Sequence, residues 1–190
     1  MMTFVNMDSP GLAILPTHRV IHGLDSFSSQ DFCEAARKYF SVEEVDPSID
    51  AVRASAILRE AGHSGTALLA VTGDHAFLLD TPGRIGSDVF AGLSLRQQSL
   101  DVVQLHKCLL EGVLGISEEA IRDQRNIRYI RDTAEALAEV RNAGSNVVFL
   151  MNPVRMQQVR DIAFASEVLP QKSTDFYPKL LSGLTIYALE

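Results

Sequence analysis

The stretch GTALLAVTGDHAFLLD, residues 65–80, decides the fold. Two apolar runs of strand length flank Thr72-Gly73-Asp74, and Gly73 can take the backbone angles of a tight turn, so the segment reads as a β-hairpin. Both runs are continuous rather than alternating. That predicts a strand in the middle of its sheet with a helix layer over it.

Outward from the hairpin, strands and helices alternate. On the N-terminal side, residues 48–61 carry Val52, Ala56, Ile57 and Leu58 as a helical apolar side, and Gly62 stops the helix. Before it come the strand FSVEEV (40–45) and a helix opened by Ser28 with Asp31 three residues on, whose face is Phe32, Ala36 and Tyr39. The run LAILP (12–16) reads as a short buried strand that Pro16 ends. MMTFVNM (1–7) reads as a strand running into the turn DSPG, and a domain beginning inside a strand suggests an upstream part removed or encoded elsewhere.

On the C-terminal side, residues 81–98 are rich in Gly, Ser and polar groups and read as a long surface connection or a flexible flap. LDVVQLHKCLLEGVLGI (100–116) is helical through Leu110, a short helix capped by Ser117 follows, and NIRYIRD (126–132) is extended. TAEALAEVRNAG (133–144) is a strong helix closed by Gly144. NVVFLM (146–151) is a strand running into Asn152-Pro153, which read as the cap and first residue of a helix to about Ala165. SGLTIYALE (182–190) completes the pattern as a last strand. The expected fold is α/β or α+β: one domain over residues 1–190, a mixed β-sheet covered by helices in a two- or three-layer sandwich.

With 190 residues, 46% of them hydrophobic, the chain can bury one sizeable core. Its formal charge of −7 argues against long-range attraction to nucleic acid or an anionic membrane, and the absence of Trp against a base-stacking platform. No stretch is long and apolar enough to span a bilayer and the start lacks a signal peptide's pattern, so cytoplasmic location is the default. Cys33 and Cys108, each in a helix among apolar neighbours, read as buried reduced thiols.

Three places can carry chemistry. Thr17, His18 and Arg19 put a hydroxyl, an imidazole and a guanidinium at a strand end. Alternate side chains on a strand face opposite ways. If the backbone turns after Pro16, Arg19 can hold a carboxylate or phosphate while His18 moves a proton, which makes His18 the catalytic candidate. The bland alternative pairs Arg19 with a surface acid. Secondly, QKSTDFYPK (171–179) offers Lys172, Ser173, Thr174, Tyr177 and Lys179 in a loop able to curl around an anion, without the glycines of a nucleotide P-loop. Thirdly, Asn152 follows an inner strand, where it caps a helix or leaves that helix end to an anion. His22, near Gly23, reads as a surface residue. His63, His75 and His106 lack ligand spacing, so no metal site is expected. Arg84 lies in a loop.

The strings NMDSPGLAILPTHRVI, LDVVQLHKCLLEGVLGI, NIRYIRD and VVFLMNPVRMQQVRDIAFASEVLPQKSTDFYPKLLSGL together resemble the C-terminal half of the bacterial and archaeal family called domain of unknown function 1015. The combination of LPTHR with PxKSTxFYPK carries the likeness. The resemblance implies a preceding domain with an Asp-Gly-His-His-Arg stretch similar to the ParB and sulfiredoxin-like nucleotide-binding fold, some of whose relatives are kinases of free serine. No such stretch occurs here. Where family members often have Met before the Pro-x-Lys-Ser-Thr run, this chain has Leu169, an exchange that keeps an apolar residue.

Two classes of function follow. In one, the chain is the anion-binding half of an enzyme acting on a small phosphorylated or carboxylated metabolite, with a nucleotide as the cofactor of the full-length protein and the isolated chain inactive. In the other it has no chemistry of its own: it binds a ligand, or it is a scaffold joined to the missing N-terminal half, another subunit or a second copy.

Overall fold

The computed structural model describes residues 5–83, 85–86, 88–142 and 144–179. Most of the strand expected at residues 1–7, the last strand expected at 182–190, and Arg84 lie outside the described residues.

Among the described residues, six strands form the main sheet, in the order β3 (Ser41–Val45), β5 (Ala76–Asp80), β4 (Ala67–Val71), β7 (Val147–Met151), β2 (His18–Ile21), β6 (Ile127–Ile130). Every pairing is antiparallel. The expected α+β sheet with helical cover is what forms. Residues 67–80 make its hairpin, closed where the Thr72 N–H donates to the His75 carbonyl (2.8 Å).

Continuous apolar runs in an antiparallel sheet mean that both faces are covered. Along β4, Leu68 and Ala70 face one core and Ala67, Leu69 and Val71 the other. The first core lies under α1 (Ser29–Ala36) and under a helix that begins as α4 (Asp101–Gln104) and continues as a π-helix (Leu105–Glu111). The second lies under α2 (Ala51–Ala61) and α6 (Thr133–Arg141). The result is helices, sheet, helices, with Cys33 and Cys108 buried as free thiols. Residues 95–98 form a short α3 and Glu118–Arg122 the α5 that Ser117 caps. Among the described residues β3 is an edge strand, and its exposed Glu43 and Glu44 are charges that discourage further pairing there.

Three expectations change. β1 (Ala13–Leu15) is only partly buried and leaves the main sheet to pair with β8 (Asp175–Tyr177), a strand inside the segment expected to be a loop. No regular alternation marks three residues as a strand, so β8 was invisible locally. The helix after Asn152 starts later, as α7 (Met156–Phe164), with Gln158 folding back on the Arg155 N–H (2.9 Å). Asn152 therefore caps nothing behind it: its Nδ2 donates to the Leu58 carbonyl at the end of α2 (2.7 Å). Helix α2 itself begins at Ala51, because the Asp50 carboxylate accepts from the Arg53 N–H (2.8 Å).

Candidate functional site

His18 and Arg19 open β2, a strand flanked by β6 and β7, and each is buried at 2% exposure, so they stand at a strand end without the turn that would let both side chains converge. Regular pairing continues through His18, and regular pairing sends neighbours to opposite faces. The two side chains consequently part.

His18 turns toward α6. Its Nδ1 accepts the Met151 N–H (3.4 Å) and its Nε2 lies 3.0 Å from Thr133 Oγ1, which fixes the tautomer with the proton on Nε2. Burial, then the nearby Arg19 charge, lowers its pKa to about 4, with Asp132 pulling the other way. The ring is neutral at pH 7 and both nitrogens are engaged.

Arg19 turns toward the other layer, beside its strand partners Tyr129 and Phe149. Its Nη1 donates to the Thr17 carbonyl and contacts Met151 Sδ (2.9 Å), and its Nη2 donates to the Lys172 carbonyl (3.2 Å). The guanidinium lies 5.5 Å from the centre of the Tyr129 ring. Burial brings its pKa down to about 10, and among the described residues no carboxylate pairs with it. The surface acid expected as its bland partner is absent there.

The contact with Lys172 is how the two sequence-marked segments meet. Lys172 adopts a left-handed backbone (φ 59°) that aims its carbonyl inward while the rest of the residue stays exposed. The β1–β8 ladder reinforces the junction, Leu15 standing opposite Asp175. Ser173 is buried, its Oγ donating to the Pro170 carbonyl (2.6 Å). Thr174 is half-buried and Tyr177 is exposed. Lys179 pairs with Asp175, whose other oxygen accepts from Arg131 Nε (2.7 Å). Thr17 contributes its carbonyl to Arg19. Asn152 stands apart from this junction, holding α2.

Sequence reasoning missed Tyr129, His106, Arg131 and Asp175. Tyr129 and Arg131 are two apart in NIRYIRD, a spacing that puts side chains on one face of an extended segment, although β6 itself ends at Ile130. His106 had no such signal, since it rides on the π-helical stretch. Among the described residues no three His, Cys, Asp or Glu side chains are grouped to hold a metal ion, and no helix is long and apolar enough to cross a membrane.

Solved structures share this fold at low identity. A conserved hypothetical protein from Pyrococcus furiosus matches 90% of the chain at 12% identity with a TM-score of 0.52. A free serine kinase in complex with AMP matches 90% at 13% identity with a TM-score of 0.52, and a mutant of that kinase with AMP matches at 14% with 0.51. The chain spans 59% of the length of the first and 56% of the kinase chains. No curated protein matches. The family model described as "Protein of unknown function (DUF1015)" matches residues 1–103, more than half of the 190, and the chain belongs to that family.

Proposed function

We propose that this chain is the anion-holding part of a protein that acts on a small phosphorylated or carboxylated metabolite, with phosphoryl transfer from or to a nucleotide as the reaction of the complete assembly. The observation that carries this reading is Arg19: a wholly buried cation with no acidic partner among the described residues, tied to the segment that bears Lys172, Ser173 and Thr174. A buried charge without a counter-charge is costly, and an anionic ligand would supply the missing counter-charge. The fold held in common with a kinase bound to AMP supports the nucleotide part of the reading. His18, neutral and turned to the opposite face, is less suited to proton transfer in such a site than Arg19 is to charge stabilisation.

A second reading has an observation of its own. The Nη contacts of Arg19 are to two carbonyls and a sulfur, all internal, and these make it a staple between β2 and the β8 segment in a non-catalytic domain. Isothermal titration with AMP, inorganic phosphate and acetate separates the two. Under the first reading at least one binds, and Lys172→Ala weakens phosphate or AMP; if none binds at millimolar concentration, the staple reading stands.

A further inference from the structure

Among the described residues, three polar atoms are buried without a hydrogen-bond partner on the Arg19 side of the sheet: Arg19 Nε, Tyr129 Oη and His106 Nε2. Unsatisfied buried donors are rare, and a group of them signals a missing occupant. Tyr129 and Arg19 are direct cross-strand neighbours. His106 comes from the layer above, near enough that the Arg19 charge, after burial, helps push its pKa down to about 3, Lys107 adding to it. At pH 7 all three are donors or can be: a guanidinium, a phenol and a neutral imidazole.

His106 also lines a surface cavity of about 210 Å³, together with Gln97, Lys107, Glu111, Glu118 and Pro170. His106 rides on the π-helical stretch, and π-turns inside α-helices recur at functional sites. At the mouth, Lys107 sits 2.9 Å from Glu111 and 3.5 Å from Glu118, so the rim carries one acid more than it has bases. Such a rim admits a single negative charge more readily than a double one, and a single negative charge is what the one buried cation can neutralise.

We infer that a small monoanion, a carboxylate group or a halide, is held inside the sheet–helix interface by Arg19 Nε–H, the Tyr129 hydroxyl and His106 Nε2–H, entering beneath Lys107. The inference deepens the anion-holding role proposed for Arg19 by naming the charge class and the donors. The phosphate or nucleotide portion of any metabolite then lies outside this chamber.

The test is a crystal structure from crystals soaked in sodium bromide and, separately, in sodium acetate, with acetate titrations of the wild type and of Tyr129→Phe. Expected are a bromide anomalous peak and acetate density within hydrogen-bond reach of the three donors, and affinity about tenfold weaker in Tyr129→Phe, a variant that keeps the ring. Acetate should also move the His106 imidazole resonances and raise its pKa, which a merely structural tyrosine would not affect. A chamber holding only water, or an adventitious ion only, on Lys107 or Lys172 at the surface, overturns the inference. Arg19→Met should abolish binding; should that variant fail to fold, Tyr129→Phe and the soaks decide alone. Acetate in the chamber with no binding of AMP or phosphate keeps this inference and removes phosphoryl transfer. AMP or phosphate binding beside a water-filled chamber does the reverse.

Discussion

Three titratable groups, His18 buried and His106 and Asp101 half-buried, give the protein a readable dependence on pH. The folded pKa values of His18 and His106, about 4 and about 3, lie below the unfolded value, so protons favour the unfolded chain. Their contribution is intact above about pH 6.5 and is lost as pH falls toward those values. Asp101 has the opposite sign: burial, against help from Thr66, the Ala67 N–H and Arg155, raises its carboxyl to about 6, and its penalty disappears as pH falls below that. Between pH 7 and 4.5 each histidine costs roughly 2 kcal/mol and Asp101 returns a similar amount. Urea midpoints should show a net loss of about 2 kcal/mol at the lower pH, and His106→Asn should remove most of it. At this scale the sequence was half legible. Thr17, His18 and Arg19 were picked out by residue type, but the opposite facing of the last two depended on Pro16 ending one strand and the next resuming at once.

Among the elements, the end of α2 shows what short motifs conceal. Gly62 reads as a helix stop, yet its φ is −67°, a conformation open to any residue. It is small because the Asn152 side chain comes over it to reach the Leu58 carbonyl, and a Cβ there would overlap that amide. Asn152→Ala should cost about 1–2 kcal/mol through the lost hydrogen bond. Gly62→Ala should cost about 2 kcal/mol by overpacking, and part of that cost should vanish in the Asn152→Ala background. Equal penalties in both backgrounds, by urea denaturation, would count against the contact. Helix caps at Ser28, Asp50 and Ser117 were or could be read from neighbours three residues away. The partner of Asn152 is ninety-four positions distant and leaves no local trace.

For the whole molecule, hydrogen exchange should divide the two sheets. Strands β4 and β7, buried on both faces, should exchange only through global unfolding, while the three-residue β1–β8 ladder should open far more often. Similar protection in both would mean that the Arg19 junction locks the small sheet to the large one. The layered fold was legible because each strand's apolar run and each helix's spacing reports its own burial; strand order was not, since order is a property of pairs. That order bears on how the chain is made. Hairpin β4–β5 is local and can close within microseconds, but β2 finds its neighbours only over a hundred residues downstream, Ile21 meeting Ile127 and Val147. During synthesis the strand bearing Arg19 must therefore wait until both β6 and β7 have left the ribosome, and its insertion should be slow beside closure of the β4–β5 hairpin.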